Sequence, residues 1–161
     1  EIDGFMNDVS IARVSMAYYN DSLRIIWMNA PRTRVLQLRG KITSDSFKIF
    51  SGATFTPLES KSHSDVIARD DGLYIAAADG DDVTLYRSGG SGTDWSAVKT
   101  CTNPWPISRS LLYVDRNDEV RTLLSGPSET NERTLSFTHC SLNILQVPNG
   151  NNGRIKYSRG T

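Results

Sequence analysis

The sequence of 161 residues lacks long apolar runs and any excess of charge of one sign. Its apolar runs fall short of the roughly 20 residues that a membrane-spanning helix needs, so we expect no insertion into a membrane. Eighteen basic residues balance eighteen acidic ones. A chain with no net charge lacks the positive surface that attracts nucleic acid, and we expect no nucleic acid as a partner.

Cysteine is also scarce, with Cys101 and Cys140 alone in the sequence. Their spacing is not that of metal ligands, and we predict neither a metal nor a cofactor. The two residues form either one disulfide or two buried thiols. We favour the thiols.

A helical stripe of apolar residues is missing as well. Short runs rich in β-branched and aromatic residues instead alternate with clusters of Asp, Asn, Ser and Gly. This pattern predicts an all-β domain, built as a sandwich, a barrel or a propeller. The candidate strands fall at 11–19, 23–28, 35–39, 47–55, 65–69, 73–78, 83–87, 95–102, 107–115, 120–124, 135–139 and 142–147.

These candidate strands recur with a period near 50 residues. Leu23, Leu73 and Val120 begin the second strand of each series and lie 50 and 47 residues apart. The third and fourth strands repeat at spacings of 47 to 52 residues. Four strands in a period of this length are typical of a propeller blade. The sequence therefore predicts a single domain of three blade-like, four-stranded antiparallel units.

We place the three units at about 9–58, 62–104 and 105–150, followed by a C-terminal tail at 151–161. Closed propellers have roughly four to eight blades, so three units do not close a ring. The chain begins at Glu1 rather than at Met. We expect either a piece of a longer protein, such as half of a six-bladed ring, or a chain that closes by self-association. A β-sandwich is the alternative architecture.

The segment 87–95 reads Arg-Ser-Gly-Gly-Ser-Gly-Thr-Asp-Trp and carries the clearest local motif. Ser88, Gly92 and Trp95 fall on positions of the Asp-box, Ser-x-Asp-x-Gly-x-Thr-Trp, whereas Gly90 and Asp94 replace its aspartate and threonine. The segment resembles a degraded Asp-box hairpin of the sialidase-type β-propellers. Beyond this hairpin the resemblance covers only the blade pattern. It implies a propeller-like fold in which Trp95 packs beneath the turn.

An arginine follows a small residue in each of the three first strands, at Arg13, Arg69 and Arg109. First strands line the channel of a propeller, and three converging guanidinium groups suit a carboxylate. Sialidases are similar in holding the carboxylate of sialic acid with three arginines, so the resemblance implies an acidic sugar as ligand. Alternatively, each is a strand-end arginine that pairs with a nearby acid, such as Asp70, Asp71 or Asp115.

Three more residues complete the predicted ligand site. Asp70 and Asp71 follow Arg69 and are expected at the mouth of the channel. Trp105 lies between two prolines that hold it extended, where it either stacks on a sugar ring or fills the core.

No spacing of Asp, Glu and Tyr identifies a catalytic set in this sequence, and we predict no catalytic residue. We therefore predict a binding module, such as a lectin or a viral or phage attachment protein, that recognises a glycan or cell-surface receptor. Its expected location is extracellular or on a virion surface. The alternatives are a fragment of a sialidase-type glycoside hydrolase and a structural domain that assembles with other chains.

Overall fold

A computed structural model describes residues 11–29, 35–54, 58, 61–89, 94–104, 107, 109–125 and 132–144. These residues form thirteen β-strands in three sheets. Sheet 1 contains β1 (Ile11–Tyr19), β2 (Ser22–Asn29), β3 (Val35–Ile42) and β4 (Phe47–Thr54). Sheet 2 contains β5 (Ser62–His63), β6 (Ile67–Arg69), β7 (Gly72–Asp79), β8 (Asp82–Ser88) and β9 (Trp95–Thr102). Sheet 3 contains β10 (Arg109–Val114), β11 (Val120–Ser125), β12 (Glu132–Ser136) and β13 (Ser141–Ile144).

Each sheet is antiparallel, and in sheets 1 and 3 every strand pairs with the next strand in sequence. The prediction of an all-β chain built from three four-stranded antiparallel units is confirmed, and the three sheets do not close on themselves. None of the described residues forms a helix long and apolar enough to cross a membrane.

The first edge strand of sheet 2 is broken into β5 and β6, and both pieces pair with β7. At the break, the Ala76 amide donates a hydrogen bond to the Ser64 hydroxyl over 2.9 Å, and the Ser64 amide donates to the Ala76 carbonyl over 2.8 Å. The Val66 amide donates to the hydroxyl of Ser15 in β1 over 2.6 Å. Serine hydroxyls therefore satisfy backbone groups that a continuous strand would pair, and one of them ties sheet 1 to sheet 2.

The core consists of two apolar layers, one on each face of sheet 2. Strand β7 is buried on both faces, as its unbroken run of apolar residues requires. The layer between sheets 1 and 2 contains Ile26, Met28, Leu58, Val66, Leu73, Ile75, Ala77 and Tyr86. The layer between sheets 2 and 3 contains Tyr74, Ala76, Val83, Leu85, Cys101, Leu112, Val120, Leu124, Leu135 and Phe137.

A disulfide joins Cys101 in β9 to Cys140 in the turn between β12 and β13, with Cα atoms 5.3 Å apart. The prediction of two free thiols is therefore wrong. The bond links sheets 2 and 3 across 39 residues of sequence. Its formation depends on the packing of a turn of one sheet against the outer strand of its neighbour. The spacing of two cysteines carries no information about such a contact.

Candidate functional site

The three arginines of the predicted site do not share one end of their strands. Arg13 and Arg109 pair with residues near the C-terminal ends of β2 and β11. Arg69 pairs with Gly72 at the start of β7, next to the turn. Because the second strand of each sheet runs antiparallel to the first, Arg69 lies at the opposite end from the other two. The side chains of Arg13 and Arg109 lie outside the described residues.

Arg69 contacts acids at the junction of sheets 2 and 3. Its Nη2 donates to Oδ2 of Asp118 over 2.6 Å, and its Nε lies 3.8 Å from Oδ1 of Asp71. The guanidinium carbon also lies 5.6 Å from the centre of the Tyr74 ring. Arg69 is thus paired with Asp71, close in sequence, and with Asp118, 49 residues away.

Asp71, Tyr74 and Arg87 extend the same polar cluster. The Tyr74 hydroxyl donates to Oδ2 of Asp71 over 2.6 Å, and this bond is the main reason that the pKa of Asp71 is lowered. Burial, followed by the bond to Asp71, raises the pKa of Tyr74 to about 12. Arg87 donates to the backbone carbonyl of Asp71. The carboxylate of Asp71 is therefore paired with Tyr74 and Arg87 of the same chain.

The remaining predicted residues are dispersed. Asp70 is exposed, and its backbone carbonyl accepts a hydrogen bond from the Tyr19 hydroxyl over 3.4 Å. Trp105 lies outside the described residues. In the segment that resembles an Asp-box, Ser88 is buried and Trp95 packs against the layer between sheets 1 and 2. Residues 90–93 of that segment lie outside the described residues.

A different pair of arginines lies at the junction of sheets 1 and 2. Arg24 of β2 and Arg39 of β3 are direct partners in the antiparallel register, on the face that packs against sheet 2. Side chains in such positions have Cβ atoms about 4.5–5.5 Å apart, and like charges there repel each other. Arg24 is only 3% exposed, whereas Arg39 is half-buried. We call Arg24 and Arg39 the arginine pair.

Several groups act on the buried guanidinium of Arg24. Burial is the main cause that lowers the pKa of Arg24, and the charge of Arg39 lowers it further. Asp94 and Tyr19 act in the opposite direction. The pKa of Arg24 thus responds to Arg39, Tyr19 and Asp94 together. Asp94 is exposed, so the carboxylate stands on the solvent side of the junction.

A hydrogen bond across the junction fixes the strand beside the arginine pair. Nε1 of Trp95 in β9 donates to Oε1 of Gln37 in β3 over 2.7 Å. Gln37 is buried two residues before Arg39, on the same face of its strand. Side chains at i and i+2 of a strand point the same way, so Arg39 faces sheet 2 next to this hydrogen bond.

The corresponding positions in the other two sheets hold a single arginine each. In sheet 2 this is Arg87, whose Nη2 lies 3.5 Å from Oδ2 of Asp71. In sheet 3 it is Arg121, whose Nε and Nη2 lie 2.6 and 3.0 Å from carboxylate oxygens of Asp115 and Glu119. Among the described residues at this strand position, sheet 1 is therefore the sheet that places two arginines opposite each other.

The sequence analysis did not predict the arginine pair, although a signal was present. Arg24 interrupts the run Leu23-Arg24-Ile25-Ile26-Trp27-Met28, in which both faces of the strand are otherwise apolar. An arginine within a strand that is apolar on both faces cannot point freely to solvent. Such a residue is a candidate for a buried charge with a role in binding.

No protein-family model, curated protein or solved structure matches this chain. A function therefore has to follow from the chain's own residues and their arrangement.

Proposed function

We propose that the chain is a non-catalytic module that binds an acidic glycan, such as one ending in sialic acid, through the arginine pair. The supporting observation is that Arg24 and Arg39 lie directly opposite each other in the junction of two sheets, with Arg24 buried. A carboxylate that accepts hydrogen bonds from two planar guanidinium forks offsets both their repulsion and their loss of hydration.

The exposures of the groups suggest how a ligand would enter. Arg39 is half-buried and Asp94 is exposed, so a ligand arriving from solvent meets these two residues first. The carboxylate of Asp94 acts on Arg24 and competes with a ligand anion for the positive charge. In this proposal Arg39 contacts the sugar carboxylate directly, and Arg24 supplies positive charge from behind it.

The wider architecture and location belong to the same proposal. Three antiparallel sheets in sequence, with a partial Asp-box between β8 and β9, support a propeller-like module of the sialidase type. The disulfide supports an extracellular or virion-surface location, since such bonds persist in oxidising environments.

A glycan array with sialylated glycans and their desialylated counterparts tests the binding. We expect wild-type protein to bind the sialylated members alone. Arg39→Gln should weaken that binding about 10- to 100-fold, the worth of a hydrogen bond to a charged group. The matched control is Arg116→Gln, because Arg116 is exposed in the turn between β10 and β11 and should be neutral to binding.

Three results would contradict parts of the proposal. Equal binding to sialylated and desialylated glycans, or binding to neither, would remove the acidic sugar as ligand. Unchanged binding by Arg39→Gln would remove the arginine pair as its site. Release of free sialic acid from a sialoside by the wild-type chain would assign a hydrolase instead of a binding module.

A further inference from the structure

The outer face of sheet 1 carries apolar side chains, of which those from β1 are exposed and those from β2 and β3 are half-buried. We define the open face of sheet 1 as the side that points away from sheet 2, with Val14, Met16, Tyr18, Leu23, Ile25, Trp27 and Leu38. The three residues from β1 are 45, 61 and 58% exposed. A contiguous patch of exposed apolar side chains is typical of an interaction surface.

The same strand positions are buried in the other two sheets. Leu23 corresponds to Leu73 and Val120 as the first apolar residue of the second strand, and these are 0 and 7% exposed. Met16 corresponds in register to Leu112, which is 5% exposed. In sheet 2 this face packs against sheet 1, and in sheet 3 it packs against sheet 2. In sheet 1 it therefore has the composition of an interface that lacks its partner.

Sheet 3 presents the complementary half of that contact. We define the open face of sheet 3 as the side that points away from sheet 2, with Leu111, Tyr113, Arg121, Leu123 and Thr134. Leu123 corresponds in the second strand to Ile26 and Ala76, which lie buried against the following sheet. Leu111 and Leu123 are direct register partners, so they form one apolar patch.

Charged groups on both open faces already have partners. The Tyr18 hydroxyl donates to Oδ1 of Asp21 over 2.7 Å, and Asp21 also pairs with Lys41. On sheet 3, Arg121 pairs with Glu119. Removing a lone charge from water is costly, whereas paired charges at the edge of a contact are tolerated. Contact between the two faces therefore leaves none of these charges buried alone.

We propose that a second copy of this chain lays its open face of sheet 3 on the open face of sheet 1, with the reciprocal contact on the other side of a two-fold axis. The partner is inferred from the contacts within one chain. There, sheet 1 packs on sheet 2, and sheet 2 packs on sheet 3, through the same pair of faces. Repeating that contact between two copies gives a ring of six sheets, within the roughly four to eight of closed propellers. This assembly does not depend on the arginine pair.

Sedimentation equilibrium at micromolar concentration tests the assembly. We expect wild-type protein to have twice the chain mass of 17.9 kDa. Met16→Glu should give a monomer with an unchanged circular dichroism spectrum, because Met16 is largely exposed within one chain. The matched control is Val98→Glu on the outer strand β9, away from both open faces, which should remain a dimer.

A mixing experiment tests which faces meet. Leu123→Glu should also give a monomer, since every contact in the ring uses sheet 3 of one copy. Mixed with Met16→Glu, it should form a heterodimer, because one of the two contacts then joins two unaltered faces. Thr134→Glu, on the same face as Leu123, takes its place if Leu123→Glu fails to fold.

The proposal is overturned by any of three results. A wild-type monomer excludes the second copy. If Met16 in such a monomer also resists oxidation by peroxide, another segment of the same chain covers the face. A dimer of Leu123→Glu alone shows that sheet 1 packs on sheet 1, and a mixture that stays monomeric excludes the ring contact.

Discussion

Trp95 and Gln37 are joined by a 2.7 Å hydrogen bond between Nε1 and Oε1, although 58 residues separate them. The bond connects the outer strand of sheet 2 to the third strand of sheet 1, directly beside the arginine pair. The residue that the Asp-box pattern singled out thus packs between two sheets, against the layer that contains Ile26 and Leu73.

Replacing Trp95 should therefore loosen the junction of sheets 1 and 2. Trp95→Ala should lower the free energy of unfolding by about 3 kcal/mol, as expected for a large, partly buried aromatic ring. Trp95→Phe keeps most of the apolar contact and loses the N–H donor, so it should cost about 1 kcal/mol. Urea denaturation measures both. Equal and negligible losses would show that Trp95 does not hold the junction.

The disulfide should contribute measurably to stability. Closing a loop of this length restricts the unfolded chain and is worth about 4 kcal/mol in the chain-entropy view. The double change Cys101→Ser with Cys140→Ser should lower the free energy of unfolding by about 2–4 kcal/mol in urea denaturation. Wild-type protein with reductant should show a similar loss. A reductant without effect on wild type would mean that the bond does not form in solution.

The hydrogen bond between Tyr74 and Asp71 predicts a pH dependence at both extremes. The raised pKa of Tyr74 contributes stability that is fully present below pH 10 and is lost as the pH rises towards about 12. The lowered pKa of Asp71 contributes stability present above its ordinary value of 3.8 and lost as the pH falls below it.

Urea denaturation at a series of pH values, on wild type and on Tyr74→Phe, isolates this pair. The phenylalanine variant should lose less stability than wild type between pH 10 and 12, because it lacks the phenol that ionises. Its loss below pH 3.8 should also be smaller, since Asp71 no longer accepts the tyrosine hydroxyl. Parallel curves for the two proteins at both extremes would contradict the coupling.

Arg39 and Arg121 should respond differently to the same substitution. Arg39→Gln removes one of two facing like charges, so the free energy of unfolding should rise or change by less than about 1 kcal/mol. Arg121→Gln breaks contacts to Asp115 and Glu119 and should lower the free energy of unfolding. Thermal or urea unfolding compares them. A larger loss for Arg39→Gln would mean that this arginine is structural.

Much of the fold follows from local sequence because strands and turns alternate with distinct composition. The second strands predicted at 23–28, 73–78 and 120–124 agree with β2, β7 and β11 to within one residue at each end. The third strand of the last series was less accurate. Predicted at 135–139, it runs as Glu132–Ser136, because Phe137 is buried from within a turn and looks like a strand residue in sequence.

The break between β5 and β6 was not predictable, since it depends on hydroxyls of Ser15 and Ser64 placed by tertiary packing. The predicted convergence of three arginines depended on a related feature. Choosing Arg13, Arg69 and Arg109 assumed that all first strands keep one register, whereas the short β6 places Arg69 at the turn. The arginine pair depends on the pairing of β2 with β3, which needs a correct register between two strands.

Strand β7, buried on both faces, gives the middle sheet a particular role in unfolding. Both apolar layers include residues of this strand, so opening sheet 2 exposes both layers at once. Sheet 1 or sheet 3 can separate while one layer stays intact. Amide hydrogens of β7 should then exchange only through global opening, and those of the outer sheets through smaller, local events. Sheet 2 should therefore be the last sheet to unfold, after sheets 1 and 3 have separated from it.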